Sequence, residues 1–201
     1  MFDANLNLKK ELGNPTRRRF IAIGSGALGV LGYSVWRSRV SEAAPLPVSK
    51  EKEVTIVEFS DSGERLQKER VTKVIKTEQE WRQQLSSGAF DITRRADTEF
   101  AYTGKYWHQH DKGIYRCICC NNALFSSDTK YDSGTGWPSF WAPLAKENVR
   151  EIRDTSYGMD RVAISCTLCD GHLGHLFDDG PRPTGLRYCM NSAALRFIPR
   201  T

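Results

Sequence analysis

Apolar and polar residues alternate along Glu53–Ser60, EVTIVEFS, at the period of a strand. A turn follows at Ser62-Gly63, and then a charged segment. The pattern changes at Thr77. Glu80 stands three residues on, and Trp81 and Leu85 are four apart, so the spacing predicts a helix capped by Thr77 and ended by Gly88. From about residue 100 the runs become short. GIYRCICCNNALFSS, GWPSFWAPL, RVAISCTLCDGHLGHLF and GLRYCMNSAALRFIP are apolar or alternating, and Gly, Pro, Asn and Asp break them. Such spacing predicts several short antiparallel strands in a sandwich or barrel, with short helical structure before them.

The N-terminus breaks this pattern. A basic cluster at Arg17–Arg19 precedes an apolar, Gly- and Ala-rich run ending near Trp36. At roughly 16 residues that run suits a secretory segment better than a membrane span. Thr16-Arg17-Arg18-Arg19-Phe20-Ile21 resembles a twin-arginine export signal, and Ser41 and Ala43 are spaced for cleavage after Ala43. Arg37 and Arg39 beyond the run leave a second reading, an uncleaved anchor that is the chain's one membrane contact. Either way the body is expected in the periplasm or elsewhere outside a bacterial cytoplasm. The expected organisation is 1–43 export signal, 44–70 linker and N-terminal strand, and 71–201 main domain. The whole chain has 201 residues, 39% hydrophobic and 26% charged, which suits a soluble globular core needing no disulfide framework. Residues 1–43 carry +4 of the net +5, so the body has no basic surplus that would suggest nucleic acid as a partner.

Cys117-x-x-Cys120 and Cys166-x-x-Cys169 each follow a strand-like run and precede a short polar residue, Asn121 or Asp170. This is the pattern of two knuckles that aim four thiolates at one ion. Four thiolates suit structural zinc, because the coordination sphere closes. The competing reading is a pair of oxidised CxxC disulfides. Cys119, inside CICC, is either a small packing residue or a second redox thiol.

Cys189 stands apart from these pairs. A thiol attacks as its thiolate, so it needs cations or donors nearby. If its surroundings form a strand, Arg187, Cys189 and Asn191 share one face, and Tyr188, Met190 and Ser192 take the other. His172 and His175 follow the second cysteine pair directly, where a knuckle would fix them, and imidazoles can deliver a proton near neutral pH. A zinc deaminase would require an H-x-E element, which neither histidine supplies. His108 and His110 read as solvated loop residues. Trp137, on a Gly-Pro turn, reads as the wall of a ligand site.

The stretches YDSGTGWPSF and HLGHLFDDGPRPTGLRYCMNSAALRF, with both cysteine pairs, resemble the B-type peptide methionine sulfoxide reductases over about Thr77–Phe197. The resemblance implies two antiparallel β-sheets braced by a four-cysteine zinc site, and reduction of the R epimer of methionine sulfoxide in oxidised proteins or peptides. It makes Cys189 the nucleophile. His172, His175 and Asn191 would bind and protonate the sulfoxide oxygen, and Asp179 and Arg187 would support the thiolate. Trp137, with Phe177, would form the substrate pocket. The family often has cysteine where this chain has Thr135, and that cysteine usually resolves the sulfenic acid. Its replacement leaves direct reduction by an external, thioredoxin-like thiol, a role for Cys119, or a mixed disulfide with a partner. The other reading of the whole chain is a zinc-braced binding module without catalysis.

Overall fold

A computed structural model describes residues 51–200. The export-signal reading of 1–43 lies outside the described residues. Among the described residues no helix is long and apolar enough to cross a membrane.

The order of elements is a hairpin, two helices, then strands. β1 (Glu53–Phe59) and β2 (Arg65–Thr72) form the antiparallel hairpin. α1 (Glu78–Gln84) and α2 (Ser87–Arg95) follow, and then β3 (Gly113–Cys117), β4 (Ala123–Ser126), β5 (Lys130–Tyr131) and β6 (Ser139–Phe140). The chain finishes with β7 (Val149–Asp154), β8 (Arg161–Cys166), β9 (His172–Phe177), β10 (Arg187–Met190) and β11 (Leu195–Pro199). Two antiparallel sheets carry the domain, as the strand pattern leads one to expect. One has six strands in the order β5-β6-β10-β9-β8-β7, and the other three in the order β11-β3-β4.

Between them lies an aromatic core. Phe125 of β4 stacks on Phe140 of β6 with centroids 4.5 Å apart, and Tyr115 of β3 meets the same ring edge-on. Tyr188 and Met190 of β10 are buried with them. The opposite face of the six-stranded sheet is thereby left to the other residues of β10, Arg187 and Cys189.

Thr77 caps α1 through a full capping box with Glu80, and Trp81 is buried beneath it. The helix stops before Gly88, however. Leu85 leaves the helical conformation, and the Ser86 side chain accepts from the Ala89 N–H to start α2. Gly88 therefore lies in the first turn of a second helix, because a serine cap just ahead of it re-nucleates the chain.

Two buried polar devices lock the periphery. The Asn148 side chain accepts from the Val57 N–H and donates to the carbonyls of Val57 and Ala123, which pins the β1–β2 hairpin to the body. The Lys73 ammonium lies 2.6 Å from Asp170 with both side chains buried, and Arg150 binds the same carboxylate. Asp170 sits immediately after Cys169, so the segment following β2 is tied to the second knuckle.

Candidate active site and metal centre

The two CxxC turns have matching backbones. Asn121 and Asp170, the residues after each pair, take left-handed conformations. Their N–H groups donate back to the carbonyls of Cys117 and Cys166. The N–H groups of Cys117 and Cys166 in turn donate to the carbonyls of Asn122 and Gly171. Each thiol pair is thus held in a tight hairpin, and the two hairpins face each other. All four sulfurs lie within 4.8 Å of one another. Cys117 Sγ is 3.7 Å from Cys169 Sγ, and Cys120 Sγ is 3.5 Å from Cys166 Sγ. A tetrahedral ion with metal–sulfur bonds of about 2.3 Å requires sulfurs roughly 3.8 Å apart, so the set fits a metal such as zinc. No disulfide joins the six cysteines, and the close sulfur contacts run from one pair to the other, as a shared ion requires.

Cys119 is buried in the first knuckle, on the α2 side. Its sulfur neighbours Cys117, Cys169 and Thr93, and its carbonyl accepts from Gln84. Cys189 has a separate set of neighbours: Thr135, Ser139, Arg187 and Tyr131.

The second centre is a row of residues running straight across the six-stranded sheet. Tyr131 pairs with Ser139, Ser139 with Cys189, Cys189 with His175, and His175 with Ala163. Paired residues in an antiparallel sheet point to the same face. Cys189 therefore has a hydroxyl on one side and an imidazole on the other. The Thr135 hydroxyl stands 3.9 Å from its sulfur. Burial pushes the Cys189 thiol up from its ordinary range, while the charge of Arg187 and the hydroxyls of Thr135 and Ser139 pull it back. Arg187 is rigidly placed for this. It forms a two-point ion pair with Asp179 at 2.7 and 2.8 Å, and its guanidinium lies over the Phe177 ring, 4.2 Å from the centroid.

His172 and His175 are three apart and would face opposite sides of a regular strand. A bulge changes this. Ser165 pairs with His172 while Ile164 pairs with Gly174, so Leu173 is an extra residue in β9. The two rings meet at 5.3 Å on one face. Gly174 sits beside the bulge, where a Cβ would come within 2.1 Å of the Cys189 carbonyl oxygen. Gly174→Ala is expected to push β10 away from β9, lowering turnover by at least about tenfold through displacement of Cys189. Steady-state kinetics on the folded variant check this, and unchanged rates would contradict the tight fit.

The two histidines have different surroundings. His172 is buried and has no hydrogen-bond partner on either ring nitrogen. Burial, and then the neighbouring His175, push its imidazole down to about 3. His175 Nε2 lies 2.8 Å from the Asp154 carboxylate. Burial pushes His175 down as well, but that hydrogen bond opposes the fall.

β10 ends at Met190, and Asn191 opens a short 3-10 turn at Ser192–Ala194. The Asn191 amide accepts from the Glu99 N–H and donates to the Leu173 carbonyl between the histidines. Glu99, which the sequence reading passed over, links both walls of the cleft. Its carbonyl accepts from Trp137 Nε1, and its carboxylate accepts from the N–H groups of Ser192 and Ala193. Trp137 is thereby fastened to the turn that follows Cys189. Asp154, Arg161 and Ala163 were also passed over. A glycine inside the strand pattern HLGHLF was the available signal for the bulge.

Comparison with known proteins places these features in a common setting. The signature described as the SelR domain matches residues 85–199. A peptide methionine sulfoxide reductase MsrB of Herminiimonas arsenicoxydans is 57% identical over 125 residues, 62% of this chain and 91% of that protein. The MsrB of Hahella chejuensis is 56% identical over 125 residues, covering 62% and 90% of the two chains. That of Pseudomonas aeruginosa strain PAO1 is 52% identical over 130 residues, covering 65% and 98%.

Proposed function

This chain belongs to the SelR-domain family of B-type peptide methionine sulfoxide reductases, and we propose on that premise that Cys189 is the sulfur that takes oxygen from methionine-R-sulfoxide in oxidised proteins or peptides. The observation that carries this reading is the in-register pairing of Cys189 with His175, beside an Arg187 held by Asp179. Attack on the sulfoxide sulfur builds charge on its oxygen, so a nucleophile and a proton donor must flank one pocket.

The step balances internally. The Cys189 thiol loses its proton to His175 and its thiolate attacks the sulfoxide sulfur. An S–S bond forms, and the sulfoxide oxygen, taking the same proton from His175, leaves as hydroxide while its S–O bond breaks. Hydroxide then bonds to the Cys189 sulfur and displaces the methionine as the S–S bond breaks. The products are methionine and a sulfenic acid on Cys189. Sulfur of the enzyme is oxidised by two electrons, and sulfur of the substrate is reduced by two. No proton from solvent is consumed, which suits a thiol raised and an imidazole lowered by burial. His172, neutral and unpartnered, would stand beside the sulfoxide oxygen with His175. Trp137 would receive the substrate methyl, with Phe177 acting through Arg187, and Asn191 would hold the β9 bulge and the Trp137 wall in place.

Recycling follows from Thr135, which cannot form a disulfide. Two equivalents of an external thiol, or one dithiol of thioredoxin type, would reduce the sulfenic acid to thiol and water. Cys119 is less suited to the task, since its neighbours are the metal ligands and α2. Zinc at Cys117, Cys120, Cys166 and Cys169 would be structural and take no part in the reaction. The twin-arginine-like leader is the support for an extracytoplasmic location, and fractionation of expressing cells tests it.

The central experiment is to incubate the protein with both epimers of a capped methionine sulfoxide and dithiothreitol. The expected result is consumption of the R epimer alone. Consumption of neither would favour a binding module. Mass spectrometry after one equivalent of substrate without reductant is expected to find one added oxygen on Cys189, and a Cys119–Cys189 disulfide would overturn the recycling scheme.

A further inference from the structure

Asp154 reaches this cleft from two strands away. It ends β7, whereas His175 lies on β9. The residue of β8 that pairs with His175 is Ala163, whose methyl leaves the way open. The Asp154 side chain is a hub. Its Oδ2 accepts from Arg161 at 2.8 Å and lies 2.8 Å from His175 Nε2, and its Oδ1 accepts from the Ser156 N–H at 2.9 Å. Arg161 is also Asp154's cross-strand partner. Burial pushes the Asp154 carboxyl up, but the bonds from Ser156 and His175 and the charge of Arg161 outweigh it and hold the carboxyl well below the usual range.

An ionised carboxylate only accepts, so the proton on the 2.8 Å contact belongs to His175 Nε2. Nδ1 is then the nitrogen left to exchange a proton. We propose that Asp154 is a positioning residue of the reductase reaction: it fixes His175 as the Nε2–H tautomer, leaves Nδ1 to carry the proton from Cys189 to the sulfoxide oxygen, and makes His175 rather than His172 the proton carrier. Arg161 anchors the carboxylate and tempers its pull. The geometry is that of a carboxylate behind a catalytic imidazole, where the carboxylate sets tautomer and orientation without itself reacting. His172 has no such partner.

The charged and titratable groups around His175 are Asp154 from β7, Arg161 from β8, His172 on its own strand and Cys189 from β10. Their signs give opposite expectations for two variants. Asp154→Asn removes the group that holds the imidazolium, so the His175 titration midpoint falls. Arg161→Met removes a repelling charge, so the midpoint rises. A merely structural role for the pair would not move the midpoint in opposite directions.

This inference rests on the reading of the cleft as the sulfoxide site, but its main readout needs no substrate. Nitrogen-15 NMR of the unaltered protein, above the His175 midpoint, is expected to report Nε2–H, and an Nδ1–H tautomer would overturn the proposal even if no variant folds. In folded variants the midpoint should fall in Asp154→Asn and rise in Arg161→Met, and an unmoved midpoint in either also overturns it. With substrate, Asp154→Asn should lose about 10- to 100-fold in kcat/KM, and Asp154→Glu should recover part of that loss. Absence of turnover by the unaltered protein would instead count against the reductase reading and leave the tautomer result standing.

Discussion

Cys189→Ser is expected to end reduction of methionine-R-sulfoxide while leaving the fold and the metal centre intact. The reason lies in the product as much as in nucleophilicity. Sulfur can accept the transferred oxygen because a sulfenic acid is a stable step on its oxidation ladder. A serine oxygen would have to form an O–O bond, for which the reaction supplies no driving force. The loss should therefore be complete within detection, well beyond the roughly 10⁴-fold that a displaced helper residue can cost. The substitution is nearly isosteric, and Cys189 is only partly buried among Thr135, Ser139 and Arg187, all of which tolerate a hydroxyl. It also has none of the metal-ligand neighbours that surround Cys119. Circular dichroism and metal content should match the unaltered protein. Turnover by the serine variant at the original rate would refute the assignment of the reacting sulfur.

The separation of Cys189 from a cluster of four thiols that could hold a metal was open to reading from the chain itself, because local sequence produces each part. The knuckles need only a CxxC and a residue tolerant of a left-handed conformation, and Asn121 and Asp170 supply it. The alternation around Cys189 follows from two residues of strand, and so Arg187 lands on its face. Where the reading stopped, the cause was non-local or was a break in local rule. His172 and His175 share a face through one inserted residue, which a period-2 pattern cannot show. Asp154 lies 21 positions before His175 and meets it only through the order β9-β8-β7. Glu99 acts through its backbone as much as its carboxylate, so its residue type says little about its role. Gly88 misled because a serine cap just before it outweighed its usual meaning at a helix end.

Cys166→Ser is expected to do the opposite of Cys189→Ser and destroy metal binding and folding together. Cys166 ends β8 and is fully buried, and its sulfur faces Cys120 and the Asn122 amide. The knuckle it opens joins β8 to β9, the strand that bears both histidines. The opposing knuckle joins β3 to β4 in the other sheet. Four thiolates crowded within 4.8 Å repel one another unless a cation neutralises them, so the cluster opposes folding when empty and favours it when filled. Structural zinc in small domains contributes about 10–16 kcal/mol of binding energy, against a net stability of about 5–15 kcal/mol for a typical domain. Loss of one ligand therefore removes a contribution comparable to the whole margin. The expected result is an expressed chain with no bound metal, little cooperative thermal transition and no turnover. Chelation of the unaltered protein at elevated temperature should reproduce that state, and added zinc should reverse it. A Cys166→Ser protein that melts at the original temperature without metal would show that the two sheets stand without their brace.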